Sequence, residues 1–435
     1  MKKSVWSEST KLPQFSKLSG DVKTDVLIIG GGLCGLLCAY KLGLAGVDYL
    51  LVEGNKIASG ITKNTTAKIT FQHGLIYSQL IKSFGQEKAQ LYLSANMQAL
   101  MEYKELCKNI SCDFEIKPAY TYSLTNRTKI EQEVHAIQRL GFNAQFSETT
   151  ELPFKTKGAV KFPGQAQINP LKFLAGIVKA LNIYENTFIR DITSNSAIFH
   201  GGIISAKKII VTTHFPFINK HGSYFLKLYQ HRSYVSVFEN AAQLDGMYVD
   251  EDKKGISLRN YQNLLLIGGS GHRTGKMSGA WEPLHLFAKK YYPNSKLKYD
   301  WATQDCMSLD SVPYIGQYSA NTPDLYVATG FNKWGFTSSM AAANILADMV
   351  LGRKNAFAPV FSPSRSILKP QLIVNGVESA LNLITPTAPR CPHLGCALKW
   401  NKAEHSWDCP CHGSRFEKDG KLIDNPSTGN ASTVK

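Results

Sequence analysis

A glycine-rich turn near the N-terminus restricts the fold of this chain more than any other segment does. Gly30, Gly32 and Gly35 have the spacing G-x-G-x-x-G, between the apolar run 24–29 and the helical pattern 36–46. The first glycine permits a tight turn, the second lets the backbone approach a pyrophosphate, and the third lets helix and strand pack closely. The N-terminus of the helix then offers N–H groups and the positive end of its dipole to the phosphates. The turn therefore predicts a nucleotide-binding strand–turn–helix unit.

An acidic residue near the end of the next predicted strand adds to this pattern. The run 47–54 ends near Glu53, where a carboxylate can accept hydrogen bonds from the ribose hydroxyls of a dinucleotide. A carboxylate disfavours the 2′-phosphate of NADP, and the pattern leaves FAD and NAD open. A second glycine-rich segment, 268–275, is not followed by a helical pattern and so predicts no second nucleotide site. His272 and Arg273 within it are candidates for an active-site cavity, with a solvent-exposed loop as the alternative.

The remaining apolar runs predict an α/β fold with a separate antiparallel sheet. Buried-strand patterns at 207–216 and 324–330 are typical of the parallel sheet that a nucleotide-binding unit joins. The runs 229–239, 246–250 and 264–269 have the composition of antiparallel strands. We therefore expect a Rossmann-like domain together with an antiparallel β-sheet substrate domain.

Four residues near the C-terminus have the spacing of a metal site. Cys391 and His393 stand as C-x-H, and Cys409 and His412 stand as C-x-x-H. Thiolate and imidazole ligands bind both zinc and iron–sulfur clusters, so the residue types leave both open. The cysteines outside this region are scattered and are expected to be buried or inert thiols. The pattern indicates a metal site in a reducing compartment and not a secreted disulfide framework.

The two boxes that contain these residues, CPHLGC at 391–396 and CPCHGS at 409–414, resemble those of Rieske proteins. Their separation and the later pair Asn425-Pro426 agree with the resemblance. It implies a [2Fe-2S] cluster in which the two cysteines of the C-x-H and C-x-x-H spacing hold one iron and the two histidines hold the other. Neutral imidazoles in place of thiolates raise the potential of such a cluster.

The Rieske resemblance has further implications for this region. Cys396 and Cys411 match the cysteines that join the two cluster loops by a disulfide in respiratory-chain Rieske proteins. Ser414 matches a serine that donates a hydrogen bond to a cluster sulfur. The two histidines are expected at an exposed end of the cluster, where electrons can leave. The block 389–435 is too short to be stable without metal or docking.

The N-terminal unit resembles the D-amino-acid oxidase and glycine oxidase superfamily of FAD-dependent oxidoreductases. The similar segments are GGGLCGLLCAYKL, VDYLLVEG and, later, DSVPYIG followed by LYVATGFNKWGFTSSMAAANILADMV. The resemblance covers residues 21–352 and implies that FAD is the dinucleotide. It places Gly330, Trp334, Gly335 and Phe336 against the flavin, where a helix N-terminus would stabilise negative charge on the reduced ring. Core packing is the alternative for the two aromatic residues.

A loop rich in small and hydroxyl residues, 58–68, follows the second predicted strand. In the same superfamily such a loop runs under the flavin. Thr65, Thr66 and Lys68 are therefore expected to contact the pyrophosphate or the ring, and a lysine there would favour the anionic reduced flavin. A solvated loop is the alternative. No catalytic residue is indicated beyond Lys68 and the two candidates of the second glycine-rich segment.

The two resemblances together divide the chain into an FAD-dependent oxidoreductase domain, 1–352, a linker, 353–388, and a Rieske [2Fe-2S] module, 389–435. The Pro- and Ser-rich composition after residue 352 supports the linker, which can also act as a strap across the first domain. The FAD-binding parts of the first domain are expected at about 21–110, 160–220 and 301–352, with substrate-domain parts between them.

The combination implies an enzyme with two kinds of electron carrier. We expect a dehydrogenase that oxidises an amine, amino acid or hydroxy acid and passes electrons singly through the cluster to an acceptor. Alternatives are a reductase in which electrons flow from cluster to flavin, and a non-catalytic electron carrier or redox sensor. A Rieske oxygenase would need a further iron held by two histidines and a carboxylate, and no compact motif of that kind is present in the sequence.

The net charge of +16 raises the question of an acidic partner. The lysines are spread along the whole chain and no nucleic-acid recognition motif is present in the sequence, which favours a solvated basic surface over nucleic-acid binding. An acidic one-electron carrier protein is the partner class that remains. The N-terminus lacks the apolar stretch of a signal peptide, and Lys41 interrupts the most apolar segment, 26–46, so we expect no membrane span and a cytoplasmic location.

Overall fold

Three β-sheets organise the part of the chain that the computed structural model describes, residues 3–252, 255–276, 279–386 and 389–432. The strands in chain order are β1 (Val22–Ile29), β2 (Tyr49–Val52), β3 (Lys68–Ile69), β4 (Glu115–Ser123), β5 (Gln145–Ser147), β6 (Gly158–Gln167), β7 (Ile183–Tyr184), β8 (Ile189–Ile192), β9 (Ser196–Phe199), β10 (Gly202–Val211), β11 (Leu228–Glu239), β12 (Met247–Asp250), β13 (Ser257–Tyr261), β14 (Leu264–Arg273), β15 (Lys296–Ser308), β16 (Tyr314–Gln317), β17 (Leu325–Thr329), β18 (Lys399–Asn401), β19 (Ser406–Asp408), β20 (Arg415–Phe416) and β21 (Leu422–Asp424).

Helices cover the sheets and connect their strands. The α-helices in chain order are α1 (Val5–Ser9), α2 (Leu33–Leu44), α3 (Tyr77–Phe84), α4 (Gln86–Leu106), α5 (Arg127–Arg139), α6 (Pro170–Ile177), α7 (Tyr224–Lys227), α8 (Glu282–Tyr291), α9 (Gly335–Val350), α10 (Ala358–Phe361) and α11 (Pro370–Ile384). Short 3₁₀ helices span Ile61–Asn64 and Val178–Ala180. Among the described residues, no helix combines the length and the apolar character needed to cross a bilayer.

The first sheet is built around the glycine-rich turn. Its main path runs β16-β17-β10-β1-β2-β7, and β1 pairs in parallel with both β2 and β10. The second half of β1, from Val26 to Ile29, is buried, as expected for a strand covered on both faces. Helices α2 and α9 pack against each other over this sheet. The α/β fold with a Rossmann-like FAD-binding domain is thereby confirmed.

The second sheet carries the antiparallel strands expected of a substrate domain. Its main path runs β15-β11-β14-β13-β12-β4-β6-β3, and its pairings are antiparallel except that of β12 with β4. Most of β6 and most of β15 lie within the parts predicted to bind FAD, 160–220 and 301–352, and these strands pair with β4 and β11 in the second sheet.

The segment 353–388, predicted as a linker, contains two helices where the structure describes it, α10 and α11. Before α11 it acts as a strap, because the guanidinium of Arg365 donates to both carboxylate oxygens of Asp310 at 2.8 Å and lies 3.8 Å from the ring centroid of Tyr314. The Pro- and Ser-rich composition behind the linker prediction ends where α11 begins. Beyond it the third sheet, in the order β18-β19-β20-β21, supports the C-terminal Cys/His boxes.

Candidate redox site

The turn between β1 and α2 requires glycine at two of its positions. Gly30 has a φ of +109°, and a Cβ there would lie 2.7 Å from the carbonyl oxygen of Thr212. A Cβ on Gly35 would lie 2.0 Å from the carbonyl oxygen of Gly30. These two glycines therefore allow helix and strand to approach each other, as the spacing predicts.

Gly32 has a different role, because the space beside it is open. The nearest atom to a Cβ on Gly32 would be Thr62 Oγ1 at 3.6 Å. Gly32 is also the N-cap of α2, and it has no side chain with which to bond the first N–H groups of the helix. An open cradle next to the N-terminus of a helix fits a pyrophosphate.

Glu53 lies immediately after β2 and next to this cradle. Its Oε2 accepts a hydrogen bond from the Gly31 amide at 2.8 Å, and its Oε1 accepts one from the Asn55 amide at 2.8 Å. Burial raises the pKa of Glu53, and the nearby Glu185 acts in the same direction. Each oxygen keeps a lone pair, so the carboxylate can accept from ribose hydroxyls as predicted.

The loop predicted to run under the flavin is partly covered by the N-terminal segment. Trp6 is buried and donates its Nε1–H to the carbonyl of Thr65 at 2.8 Å, and Thr65 Oγ1 accepts the amide of Ala67 at 3.0 Å. Lys68 Nζ donates to Thr66 Oγ1 at 3.0 Å. These contacts fold the end of the loop onto β3 and contradict the alternative of a freely solvated loop.

A buried arginine beside Lys68 escaped the sequence analysis. Arg259, in β13, is fully buried and donates from Nη1 to the carbonyl of Ala67 at 2.7 Å, while its Nε and Nη2 have no hydrogen-bond partner among the described residues. Burial lowers the pKa of Arg259 to about 9. Burial and the nearby Arg259 lower the pKa of Lys68 to about 7. A buried guanidinium with unused donors beside the half-buried Lys68 ammonium favours an anionic ligand.

The second loop predicted to meet the flavin runs from Gly330 to Phe336, and its two aromatic side chains lie in different surroundings. The Trp334 indole stacks on the imidazole of His73 with ring centroids 5.0 Å apart. Phe336 is buried with its ring centroid 5.6 Å from that of Tyr103, which is the core packing left open as an alternative. Burial lowers the pKa of His73 to about 3, so its imidazole is neutral.

The start of α9 has the features expected beside a negative charge. Gly330 has a φ of +72°, and a Cβ on Gly335 would meet no atom within 4 Å. The N-cap of α9 makes no side-chain hydrogen bond. One turn further, the buried Ser338 Oγ has no partner among the described residues. Unused donors at the N-terminus of a long helix fit an anionic group such as the reduced ring.

The C-terminal boxes bring four cysteines together and divide them into two pairs. Cys396 and Cys411 are joined in a disulfide bond, and Cys391 and Cys409 are buried free thiols. The sulfurs of Cys396, Cys409 and Cys411 lie within 4.8 Å of one another, but the disulfide removes two of them as thiolate donors. A hydrogen bond from Cys409 lowers the pKa of Cys391, and these two buried thiols are the sulfur donors that the disulfide leaves available.

The two histidines of the boxes face each other. His393 Nδ1 and His412 Nδ1 are 3.3 Å apart. Burial lowers the pKa of His393 to about 4, and burial together with the neighbouring imidazole lowers that of His412 to about 3. Two thiols and two neutral imidazoles with converging nitrogens fit the ligand set of a Rieske cluster.

The exposed position expected for these imidazoles is wrong. His412 is buried, with its ring centroid 6.0 Å from Phe215 and 6.3 Å from Phe225 of the flavin domain. His393 is half-buried, and its Nε2 lies 2.9 Å from Asn219 Oδ1. The side of the module that carries His393 and His412, here called the histidine edge, therefore faces the flavin domain. The module docks on that domain through its cluster loops.

The docking contacts bind the backbone of the cluster loops. Gln230 Nε2 donates to the carbonyl of His412 at 3.0 Å, and Gln304 Nε2 donates to the carbonyl of Gly413 at 2.9 Å. Gln230 lies in β11 of the second sheet, and Gln304 lies in β15, the strand at the edge of that sheet. A Cβ on Gly413 would lie 2.5 Å from that of Gln230, so only glycine permits this approach. Sequence reasoning missed both glutamines, because an isolated glutamine in a strand carries no motif.

The candidates His272 and Arg273 lie at the end of β14, and Arg273 reaches this same interface. Arg273 donates to the carbonyls of Pro410 at 3.0 Å and Cys411 at 3.2 Å. His272 Nδ1 contacts the carbonyl of Arg273 at 2.8 Å. The alternative of an exposed loop is wrong, because β14 continues through residue 273 and reaches the cluster loop. The assignment of both residues as catalytic candidates stays a prediction.

A buried ion-pair network also crosses the interface. Arg232 of β11 donates to Glu404 through two nitrogens, with Nε 2.8 Å from Oε1, and Arg415 of the module donates to Glu404 Oε2 at 3.0 Å. Burial opposes the charge on Glu404, but the attraction of Arg232 and Arg415 outweighs it and lowers the pKa of Glu404 to about 2.

One short chain segment touches both candidate cofactor sites. Thr212, just after β10, donates from Oγ1 to the carbonyl of Gly30 at 3.0 Å. Phe215, three residues later, has its ring centroid 6.4 Å from His393 and 6.0 Å from His412. The glycine-rich turn and the Cys/His boxes are therefore neighbours in the folded chain.

Comparisons with known proteins agree with this geometry. Residues 25–349 match the family model described as FAD dependent oxidoreductase (DAO), and residues 372–435 match that of the Rieske [2Fe-2S] domain. Both predicted cofactors, FAD and the [2Fe-2S] cluster, are confirmed by these matches.

Similar whole proteins and solved structures extend the comparison. The chain is 33% identical to YhfW of Bacillus subtilis (strain 168), named as a Rieske 2Fe-2S iron-sulfur protein, over 97% of this chain and 95% of that one. Glycine oxidase from Geobacillus kaustophilus has a TM-score of 0.67 and 21% identity, over 80% of this chain and 100% of that chain. L-Proline dehydrogenase from P. horikoshii has a TM-score of 0.67 and 16% identity, over 79% of this chain and 98% of that chain. The two structures show the fold of the flavin domain.

Replacing Gly32 with valine should give a folded protein without flavin. The added side chain would fill the open cradle next to the N-terminus of α2, where no protein atom lies closer than Thr62 Oγ1. The measurement is the FAD released on denaturation, with circular dichroism as the check of folding. Gly35→Val is the contrasting variant and should fail to fold, because its Cβ would meet the backbone at 2.0 Å. Full flavin content in Gly32→Val would contradict the placement of the pyrophosphate.

Replacing Arg232 with alanine should loosen the docked module. The change leaves the buried Glu404 with one arginine. We expect the docked arrangement to lose about 3 kcal/mol of stability, the lower end of the destabilisation caused by removing one partner of a buried ion pair. Faster hydrogen exchange at 399–416, with unchanged flavin content, is the expected measurement. Arg127→Ala is the matched control, because the pairs of Arg127 with Glu131 and Glu148 are exposed to solvent and lie outside the interface. Equal exchange in the two variants would refute this role of Arg232.

Proposed function

This chain belongs to the FAD dependent oxidoreductase family (DAO) and ends in a Rieske [2Fe-2S] domain, and from this we propose that it is a dehydrogenase that passes electrons singly through the cluster to an acceptor. When bound, FAD supplies two-electron oxidation of a substrate C–H bond and the cluster supplies one-electron transfer. Oxidation of an amine to an imine releases two electrons and two protons, so two equivalents of a one-electron acceptor are reduced for each substrate.

The observation that carries this proposal is the direction in which the cluster loops face. Both histidines of the boxes lie against the flavin domain, and the segment from Thr212 to Phe215 contacts them at one end and the glycine-rich turn at the other. If the cluster served only an external partner, burial of the histidine edge would keep that partner away from the imidazoles. The arrangement supports electron exchange between the two cofactor sites of one chain.

The residues that would hold the cluster are those that the structure brings together as unpaired donors. Cys391 and Cys409 would bind one iron, and His393 and His412 would bind the other through their converging Nδ1 atoms. Asn219 would accept a hydrogen bond from the outer Nε2–H of His393 and fix the orientation of that ring.

The FAD site would be formed by the turn, the acidic strand end and two loops. Gly32 would leave room for the pyrophosphate, and Glu53 would accept hydrogen bonds from a ribose. The loops would supply the ring environment, with the α9 N-terminus on one side and the Thr66–Lys68 contact on the other. Other loop residues proposed to line this site are Thr65, Gly330, Trp334 and Gly335.

The proposed substrates are small amines, amino acids or hydroxy acids. The solved structures with the same fold are named glycine oxidase and L-proline dehydrogenase, which supports an amino-acid or amine substrate. The buried Arg259, with unused donors, stands next to the half-buried Lys68, and this supports a substrate that carries an anionic group. As for the acceptor, the net charge of +16 supports an acidic one-electron carrier.

The purified protein should contain about two irons and two acid-labile sulfides per chain, because the two thiols and two imidazoles lie in the segment that matches the Rieske [2Fe-2S] domain. The reduced protein should give a rhombic Rieske-type EPR signal. His412→Cys should alter or abolish that signal, since a thiolate would replace a neutral ligand. Zinc without labile sulfide would contradict the proposed ligand set.

A variant without the cluster should separate substrate oxidation from electron delivery. In Cys409→Ser, substrates drawn from a panel of amines, amino acids and hydroxy acids should still bleach the flavin anaerobically, while reduction of a one-electron acceptor should fail. Cys107→Ser is the matched control, because Cys107 is a free thiol outside the boxes. Wild-type turnover of Cys409→Ser with every acceptor would show that the cluster is structural. Flavin that only the reduced cluster can reduce would favour the reductase alternative.

A further inference from the structure

Helix α11 is oriented with its polar side toward the protein. Asn375 Oδ1 accepts a hydrogen bond from Arg273 Nη1 at 2.9 Å, and Glu378 pairs with Lys276 at 2.8 Å. Asn382 is buried one turn further along the same side of the helix. The spacing 375, 378, 382 places these polar residues on one helical face. This reverses the usual pattern, in which the apolar face of a surface helix is buried.

The opposite side of α11 presents aliphatic side chains to solvent. We call Ile373, Val377, Leu381 and Ile384 the aliphatic face of α11, and 71% of Ile373 and 77% of Ile384 are exposed. Leu368, just before the helix, is 83% exposed. No described residue covers these side chains. An exposed apolar surface of this extent on a soluble chain marks an interaction site.

The aliphatic surface continues to the cluster loop. Leu383 lies 3.9 Å from the position that a Cβ on Gly395 would take, and Leu394 within the CPHLGC box is itself exposed. The helix is also tied to the loop by the backbone, because Ala397 donates its amide to the carbonyl of Asn382 at 2.9 Å. Whatever covers the aliphatic face therefore also meets the cluster loop.

The charge and composition around the aliphatic face indicate whether a second copy of the chain, another protein or a lipid surface covers it. Basic residues stand at both ends of the helix: Lys369 is its N-cap, and Arg390 donates to the carbonyl of Leu383 at 2.9 Å. With a net charge of +16, a second copy would be repelled. The face also lacks the Trp, Tyr and Arg side chains that dominate protein–protein hot spots. Aliphatic side chains with a basic border match an anionic lipid surface.

We propose that the aliphatic face of α11 lies on the surface of an anionic lipid bilayer. The helix would lie parallel to the membrane plane, with Ile373, Val377, Leu381 and Ile384 inserted among the acyl chains. The basic border would attract acidic headgroups. The contact holds the cluster loop, with Leu394, at the bilayer surface. This inference depends on α11 and its surroundings alone and stands independently of the proposed dehydrogenase reaction.

Co-sedimentation of the full-length holoprotein with lipid vesicles tests this contact. The protein should bind vesicles of phosphatidylcholine with phosphatidylglycerol more tightly than vesicles of phosphatidylcholine alone, and added salt should weaken the binding. Ile373→Glu with Leu381→Glu should lower the partition coefficient by about tenfold or more, because two inserted aliphatic side chains are lost. Flavin and cluster absorbance should be unchanged, since both side chains face solvent.

The matched control is Leu44→Glu with Leu286→Glu, which makes the same charge change at exposed leucines of α2 and α8. The control should bind vesicles nearly as well as the wild type. Equal loss of binding in both double variants would overturn the proposal, as would a wild-type protein that stays in the supernatant with anionic vesicles. A dimer in analytical ultracentrifugation that Ile373→Glu with Leu381→Glu converts to monomer would overturn it as well, in favour of a second copy.

Discussion

The docking of the C-terminal module on the second sheet is the constraint on which the rest of the structure depends. The module is small, and its own core is little more than the cysteines of the boxes with Leu398, Phe416 and Ala431. Buried polar contacts join it to the flavin domain, with Glu404 between Arg232 and Arg415 as the central interaction. A buried ion pair is weak evidence for stability but strong evidence for a fixed arrangement, because separating its members leaves an uncompensated charge. The relative position of the two redox sites is therefore set by residues that touch neither cofactor.

Predictability from sequence was highest where backbone sterics or ligand chemistry demand particular residues. The glycine-rich turn was located residue by residue, because Gly30 and Gly35 have no room for a side chain. The Cys/His boxes were located equally well, since few residue types bind iron. The interface was not predicted, because Gln230 and Gln304 have no local signature. Arg259 escaped notice for the same reason, as a buried cation in a strand looks like any charged residue of an alternating pattern. The helix within the predicted linker was missed because its residues were assigned together with the Pro- and Ser-rich stretch that precedes them.

The inward direction of the histidine edge has a chemical consequence for both imidazoles. In a position exposed to water, a histidine bound through Nδ1 exchanges the proton of its outer nitrogen with solvent. Here the outer nitrogen of His393 meets the amide oxygen of Asn219, and His412 lies between Phe215 and Phe225. The Asn219 amide oxygen, the two phenyl rings and the Phe225 backbone, which hydrogen-bonds to His412, replace water on this side. Such surroundings of metal ligands tune the potential of a site without changing its ligands, and here they belong to the flavin domain and not to the module.

Under the proposed function, a cluster whose two histidines face the flavin domain would exchange electrons with an external acceptor from another side. Among the described residues of the CPHLGC box, Pro392 and Leu394 are exposed on its outer side. That side adjoins Leu383 and the aliphatic face of α11. The two faces of the module thus have opposite characters: a polar inner face, satisfied by hydrogen bonds to the flavin domain, and an apolar outer face with a basic border. An acceptor that approaches the outer face would meet the cluster from the side opposite the flavin, so entry and exit of electrons would not compete for one surface.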